Sequence, residues 1–291
     1  MNTIRFFCAI ALVAFSMVAH AELPLTVEDL ITDKGKIKLD VSIAYANSDR
    51  KGVSTGEPIL IQTGPTSFVT VPTLVGESLT NSDLVVGTLG LRYGLTAKAE
   101  IFTRASYLYN SSRSSSVSGT ASNSDNRFAD AWAGVNYQFK EDDDTPALLG
   151  FAEVALHEKY ESSSSFKSYL AGLTTYKAID PVVFVLTTAY RFNQSRKNGD
   201  RDYEPGDMLF LSPSIAFAVN DRVTLTTGVQ WTNRQVDKVD DQTLGIRRTN
   251  TDLLLGVGYG ISKKSTLNFT VKANASGSDG ADLRLNWLHT F

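Results

Sequence analysis

Cysteine is nearly absent from this 291-residue sequence, and apolar runs long enough to cross a membrane are absent after its N-terminus. The only cysteine, Cys8, lies in the N-terminal apolar stretch, so disulfides, thiol nucleophiles and cysteine-zinc sites are excluded from the remainder. A spanning helix needs roughly 18 apolar residues, and no later segment approaches that length. Charges of both signs are interspersed and sum to −3, which excludes a nucleic-acid partner. With no phosphate-binding or nucleotide motif, we expect neither cofactor nor metal.

The N-terminus has the pattern of a secretory signal. Arg5 provides a positive charge, residues 6–18 are apolar, and Ala19-His20-Ala21 fits the small-x-small cleavage pattern. We expect residues 1–21 to be a signal peptide that is cut after Ala21. A secreted chain with no later apolar helix is periplasmic, extracellular or an outer-membrane barrel.

The rest of the sequence alternates between apolar and polar residues with a period of two. In the last segment Leu283 and Leu285 fall on one side, and Asp282 and Arg284 fall on the other, which predicts a strand with one apolar face. The same pattern predicts twelve strands, at residues 36–47, 82–93, 97–111, 126–139, 147–160, 166–178, 181–194, 207–219, 222–235, 246–260, 265–275 and 280–291. Pro213 lies inside the eighth, where it demotes the segment or marks a bulge.

The connections between these segments alternate between short turns and mostly longer, polar loops. This alternation is typical of an outer-membrane barrel with periplasmic turns and external loops. We therefore predict an all-β fold, a transmembrane antiparallel up-and-down β-barrel of twelve strands over residues 36–291. Residues 57–72 could form a hairpin whose short, proline-containing arms do not span, so we assign it to the first external loop. Fourteen strands is the alternative count, and a soluble β protein is the alternative class.

Aromatic residues are sorted to the ends of the predicted strands. Two girdles at opposite ends match two membrane interfaces, because aromatic rings combine an apolar body with a polar edge. The predicted girdle at the short turns contains Tyr93, Phe139, Tyr176, Phe217, Tyr259 and Phe291. The girdle at the long loops contains Tyr45, Tyr109, Tyr190, Phe192 and Trp231.

Residues 22–35 differ from all that follows and predict a short helix that ends at Gly35. They form either a disordered terminus or a plug inside the barrel lumen, and both interpretations remain open. The candidate plug residues are Leu25, Thr26, Glu28, Asp29 and Leu30.

The inward positions of the predicted strands collect charges of both signs. The set predicts either a hydrated channel whose charges filter solutes or a ladder of ion pairs across a narrow lumen. Lipid-facing charge is costly, so these side chains should point inward. The candidate pore-lining residues are Lys38, Asp40, Arg92, Glu100, Arg104, Asp130, Glu153, Arg191, Arg234, Arg248, Asp252, Lys272, Asp282 and Arg284.

The segments Leu25 to Ile31, Gly35 to Leu39 and Thr88 to Thr96 carry a family resemblance. The chain resembles the outer-membrane barrels named for the meta-pathway of phenol degradation, over nearly all of its length after the signal. It is also similar to the barrels that export functional-amyloid subunits. The resemblance implies a twelve-stranded barrel with a short N-terminal plug and a transport role, and it favours hydrophobic or aromatic solutes.

We predict a channel in the outer membrane of a Gram-negative bacterium for the passive passage of small solutes. The alternatives are an export channel for a secreted fibre subunit and an outer-membrane lipid-modifying enzyme. We expect no catalysis, because His157, on the inward parity, lacks a serine two residues further on. Glu141 to Asp144 lack calcium-loop spacing. The expected partners are membrane lipid, lipopolysaccharide, the solute, and the barrel-assembly machinery, which would recognise Trp287 and Phe291 of the last strand.

Overall fold

The computed structural model describes residues 31–55, 59–62, 68–71, 75–116, 119–159, 163–276 and 280–291, and every regular element in them is a β-strand. The predicted signal peptide and residues 22–30 of the predicted plug lie outside the described residues. None of the described segments forms a helix that is long and apolar enough to cross a membrane.

Twelve strands form one closed antiparallel barrel. They are β1 (Ile37–Thr55), β4 (Val75–Gly94), β5 (Ala99–Ser116), β6 (Gly119–Lys140), β7 (Ala147–Lys159), β9 (Ser168–Ile179), β10 (Val182–Asn193), β13 (Met208–Ala218), β14 (Val223–Arg234), β17 (Arg248–Ser262), β18 (Ser265–Ser276) and β19 (Gly280–Thr290). Each pairs with the next barrel strand along the chain, and β1 pairs with β19 to close the ring. The predicted fold class and the count of twelve are confirmed.

The remaining strands are short and lie outside this ring. They are β2 (Ile59–Gln62), β3 (Phe68–Val71), β8 (Ser163–Ser164), β11 (Arg196–Asn198), β12 (Arg201–Glu204), β15 (Asp237–Val239) and β16 (Gln242–Leu244). Strands β2 and β3 pair only with each other, so the hairpin predicted within residues 57–72 is confirmed as part of a loop. Whether it stands above the barrel or folds into its mouth stays a prediction.

Two long loops join to form a four-stranded sheet at the long-loop end of the barrel. Strands β11 and β12 make one hairpin, β15 and β16 make another, and β12 pairs with β15. Asp237 holds them together, because its carboxylate accepts hydrogen bonds from the Gly206 N–H at 2.8 Å, the Tyr203 hydroxyl at 3.1 Å and Arg234 at 2.9 Å. Burial acts to raise the pKa of Asp237, but these contacts outweigh it and hold the pKa below its ordinary value.

The outward face of the barrel is apolar. Ile43, Leu89, Leu255 and Phe269 are 43–60% exposed on it. Such a band is unfavourable in water and favourable in hydrocarbon, so apolar-out alternation is the arrangement of a membrane barrel. Exposed aromatic side chains flank the band at both ends. At the short turns they are Tyr93, Phe139, Phe217, Tyr259 and Phe291, and at the long loops they are Tyr45, Tyr109 and Phe192.

Tyr176 does not belong to the girdle in which the sequence placed it. It pairs with Val185 of β10 and packs against Val183 and Ala216. Val183 is only 2% exposed, so this small cluster faces the barrel interior. The prediction failed because the polarity is inverted in this stretch. Thr175 and Lys177 pair with the outward-facing Leu186 and Phe184, so the polar residues lie outward and Tyr176 lies inward.

A bulge in β7 reverses the side on which its last residues point. Ala131 pairs with His157 and Trp132 pairs with Ala155, which leaves Leu156 as an extra residue. His157 therefore lies on the outward face, with its ring centroid 5.5 Å from that of Phe128. Its predicted inward orientation is wrong, and Glu158 turns inward in its place.

Pro213 neither prevents its segment from forming a barrel strand nor creates a bulge. It stays in register with Leu186 of β10. On the other side, the pairing with β14 is interrupted between the Leu211–Trp231 and Ser214–Gly228 pairs, without a shift of register. The gap has a simple cause, because proline has no N–H to donate to the ladder.

Candidate functional site

The barrel interior is the candidate site. By strand register and alternation, all fourteen predicted pore-lining residues lie on inward-facing positions, along β1, β4 to β7, β10, β14 and β17 to β19. Arg234 and Arg248 lie at the long-loop end, beside Asp237 at 2.9 and 4.0 Å. The buried Oδ1 of Asp130 has no hydrogen-bond partner in the described part of the chain.

A cavity of about 210 Å³ lies in the half of the lumen nearer the short turns. Its walls combine charge with aromatic rings, and the residues that line it are Asp40, Gly90, Arg92, Phe102, Thr103, Arg104, Asn136, Phe151 and Glu153. The Phe102 ring lies over Gly134 and the Phe151 ring over Gly172, each within 2.6 Å of where a Cβ atom would be. Glycine at those two positions is therefore what lets the two rings approach the wall this closely.

Glu100 anchors the N-terminal segment to this wall. Its side chain is fully buried and accepts hydrogen bonds from the Thr32 N–H and from the Asn136 amide, each at 2.6 Å. Arg92 lies between two carboxylates, 3.4 Å from Glu100 and 3.5 Å from Asp40. Pairing of this kind is what makes a buried carboxylate tolerable, because an unpaired one is strongly destabilising.

The segment held by Glu100 is extended rather than helical. Lys34 forms a parallel bridge with Gly94, so residues 32–34 run in the direction of β4, toward the short turns. A Cβ atom on Gly94 would lie 2.1 Å from the Asp33 carbonyl oxygen, so glycine is required for this approach. Gly35, at φ +78°, then turns the chain into β1. The predicted helix is therefore wrong over residues 31–35, and its remainder lies outside the described residues.

Trp132 is the centre of a second cluster on the inner wall. Its ring is 2% exposed, and the guanidinium carbons of Arg104 and Arg191 lie 5.3 and 5.0 Å from its centroid. Glu153 accepts two hydrogen bonds from Arg104, at 2.8 and 3.1 Å. Glu158 accepts from Arg191 at 2.5 Å, and its second oxygen takes a bond from an arginine of an outer loop.

That loop residue is Arg196, the first residue of β11. It reaches Glu158 at 3.0 Å and the Ser168 hydroxyl at 3.1 Å, and its side chain is 2% exposed. Sequence reasoning missed both Glu158 and Arg196. Glu158 changes face at the bulge, and a loop arginine carries no alternation that could assign it. Trp132, also missed, does fall on the inward parity between Asp130 and Asn136.

A larger polar cavity of about 380 Å³ lies nearer the long loops, between β1, β4 to β6 and β17 to β19. Amides and paired charges line it. Lys272 contacts Asp282 at 2.6 Å and Asp252 at 3.9 Å, and Asn274 donates to Asp252 at 2.9 Å. The lumen therefore holds two cavities at different heights on the side of β1, β4 and β5.

The last strand carries a strip of outward-facing rings at the short-turn end. His289 stacks on Trp287 with centroids 5.7 Å apart and meets Phe291 edge-on at 4.7 Å. The Ser265 hydroxyl lies 2.9 Å from His289 Nδ1 and accepts a 3.3 Å hydrogen bond from the Trp287 indole. Among the described residues, no hydrogen bond or ion pair joins His289 to a carboxylate.

The acidic turn between β6 and β7 has its oxygens occupied by nearby donors. Asp142 accepts hydrogen bonds from Lys177 and from the Ala178 N–H. Asp143 accepts from Lys140 and from both the N–H and the hydroxyl of Thr145, which holds its pKa well below the ordinary value. Within the described ranges no group of three or more histidine, cysteine or acidic side chains is arranged to hold a metal.

Solved structures with similar folds are bacterial outer-membrane barrels. An outer-membrane channel from Pseudomonas putida F1 is 12% identical, with 90% of this chain and 98% of that chain covered and a TM-score of 0.61. The NanC porin is 11% identical, with coverage of 86% and 98% and a TM-score of 0.51. At these identities the likeness shows the fold alone. A comparison with curated proteins gives no match.

Residues 48–285 match the model of a family described as "Putative MetA-pathway of phenol degradation". The matched region begins inside β1 and ends inside β19, so it contains nearly the whole barrel. Both luminal cavities and the Trp132 cluster lie mostly within it. The chain therefore belongs to this family.

Proposed function

We propose that the protein is a channel in the outer membrane of a Gram-negative bacterium, through which small solutes diffuse passively. The observation that carries the proposal is the pair of cavities inside a closed twelve-stranded ring, both lined by inward-facing polar and charged side chains. A sealed structural barrel would fill this space. The family description supports aromatic solutes. The phenylalanine rings of the cavity nearer the short turns, here called the lower cavity, suit them.

We also propose that residues 22–34 form a plug that regulates the bore. Residues 32–34 run toward the short turns along the inner wall, which is the direction expected of a segment that leaves the lumen. Leu25, Thr26, Glu28, Asp29 and Leu30 would then occupy the bore.

The outer aromatic rings support two further parts of the proposal. Trp287 and Phe291 would be recognised by the barrel-assembly machinery, since they end the last strand on its lipid side. The girdles and external loops would contact membrane lipid and lipopolysaccharide. Deleting Phe291 should lower the amount of folded barrel in the outer membrane, and an unchanged amount would contradict its role as an assembly signal.

The alternatives lack a supporting contact. A lipid-modifying enzyme needs a serine, a base and a group that orients the base. The Ser265–His289 pair has no such third group among the described residues, and its serine already accepts the Trp287 N–H. Export of a fibre subunit would require an extended chain to pass the charged inner wall, and no feature of the described residues favours it.

Planar-bilayer recording and liposome uptake test the channel directly. The purified mature protein should conduct ions and should speed the uptake of phenol more than that of a sugar of similar size. A variant that lacks residues 22–30 should conduct more. If neither protein conducts nor carries solute, the channel function is wrong. If both conduct equally, the channel stands and the plug is wrong.

A further inference from the structure

Arg284 of β19 is an inward-facing cation at mid-height in the bore. It pairs in register with Ala44 of β1 and Thr270 of β18. Its side chain is exposed although it points into the barrel, so solvent reaches the lumen at this height. Its guanidinium makes no hydrogen bond or ion pair with any part of the chain that the structure describes.

The wall around Arg284 offers it no carboxylate. Its direct neighbours across the two adjacent strands are Ala44 and Thr270, and the inward diagonal positions hold Ser42, Ala46, Asn268 and Lys272. Cross-strand neighbours of these two kinds are the ones that side chains of a sheet can reach. The nearest acid on its own strand, Asp282, is already 2.6 Å from Lys272.

The acids of the two cavities are all occupied by donors. Asp252 accepts from Asn274, and Asp40 accepts from Asn286 at 2.5 Å and lies 3.5 Å from Arg92. Glu153 takes both of its hydrogen bonds from Arg104. Asp130 of β6 also has a buried Oδ1 without a hydrogen-bond partner among the described residues. On the wall formed by β1, β18 and β19, however, the unpaired charge is Arg284, and it is positive. A permeating ion responds to uncompensated charge, so this path should favour anions.

The lower cavity adds an apolar requirement. Phe102 and Phe151 supply its aromatic surface, and Arg92 and Arg104 border it. The side chains of these two arginines are 32% and 37% exposed, and a guanidinium has five N–H donors, so donors remain for a solute. A cavity of about 210 Å³ accommodates a single six-membered ring with a small substituent.

We propose that the preferred solute of this channel is an aromatic monocarboxylate. Its carboxylate would bind first to Arg284 at mid-height and then to Arg92 and Arg104 nearer the short turns, while its ring would lie between Phe102 and Phe151. This inference rests on the channel function proposed above and specifies the charge of the solute. Neutral phenols and aromatic amines would pass less readily.

The test uses the mature full-length protein and two substitutions at one position. Arg284→Gln removes the charge at nearly constant size, and Arg284→Lys retains it. Arg222→Gln is the matched control, because Arg222 is an exposed arginine in a short turn outside the bore. Reversal potentials in a potassium chloride gradient report ion preference. Block of the chloride current by added benzoate reports binding, with phenol and benzylamine as the neutral and cationic comparisons.

The wild type and Arg222→Gln should prefer chloride, and benzoate should block them at lower concentration than phenol or benzylamine. Arg284→Gln should move the reversal potential toward zero and raise the half-blocking benzoate concentration about tenfold, the effect of losing one charged hydrogen bond. Arg284→Lys should restore most of both. A wild type that conducts without anion preference, or benzoate block equal in Arg284→Gln, overturns the inference and leaves the channel intact. Absence of any current would contradict both.

Discussion

Glu100 provides the sharpest test of the link between the N-terminal segment and the barrel wall. Its buried carboxylate receives the Thr32 N–H and the Asn136 amide, both at 2.6 Å. Glu100→Gln keeps the size of the side chain and removes its charge. The glutamine oxygen still accepts one bond, while its amide group adds donors to a pocket that already contains donors from Thr32, Asn136 and Arg92.

The size of the effect follows from the bond to Thr32. A hydrogen bond to a charged group contributes about 1.5–3 kcal/mol, and a neutral one about 0.5–1.5 kcal/mol. Loss of the charge should therefore reduce the free energy that holds residues 31–34 against the wall by about 1–1.5 kcal/mol. This is about a tenfold change in the population of the released state. The barrel ladder itself is made of backbone bonds and should keep its resistance to denaturant.

Tryptic cleavage measures this population, because Lys34 and Lys36 flank the turn at Gly35. When opening and closing are fast relative to cleavage, the cleavage rate follows the open fraction. We expect about tenfold faster cleavage there in Glu100→Gln, with a rise in conductance if the segment regulates the bore. Glu141→Gln, in an exposed turn, is the control and should leave both unchanged. Equal cleavage in the wild type and Glu100→Gln would refute the argument that Glu100 holds the segment.

Three further changes probe separate parts of the fold. Gly94→Ala places a methyl group 2.1 Å from the Asp33 carbonyl oxygen, so it should expose the same tryptic sites more strongly than any polar change; slow cleavage would show that the wall can yield there. The lowered pKa of Asp237 means that the stability it contributes is present at neutral pH and disappears as pH falls below the ordinary carboxyl value. Hydrogen exchange in the four-stranded loop sheet should therefore rise in acid, and constant protection would contradict this. Leu255→Arg on the lipid face should cost about 2–4 kcal/mol in lipid-reconstituted unfolding, whereas Ile246→Arg, on an exposed loop, should cost little; equal effects would argue against the membrane band.

Most of the barrel could be predicted because lipid imposes one rule on every strand. Every second residue of a strand must be apolar because it faces lipid, and this alternation located all twelve strands. The ends were less certain, since the rule stops at the membrane surface. Strand β1 runs to Thr55 and β4 begins at Val75, well beyond the predicted limits, because backbone pairing continues into water without any need for alternation.

The site was harder to predict than the fold. The fourteen charges could be assigned to the inward face by parity, but their partners could not. Asp40 and Asn286, for example, are separated by 246 positions and meet only because the ring closes. A single extra residue at Leu156 moved His157 outward and Glu158 inward, and no local pattern marked it. At Tyr176 the alternation pointed to the wrong face, because its polar neighbours Thr175 and Lys177 lie on the outward face.

The first and last strands of the barrel are immediate neighbours, with Lys38 opposite Thr290 and the Phe291 N–H bonded to the Ile37 carbonyl. This seam joins the first strand of the barrel to be synthesised to the last. Synthesis must therefore have passed β19 before the ring can close, and every earlier intermediate carries two unpaired sheet edges. Quality control that inspects those edges would detect a prematurely terminated product without reading its sequence.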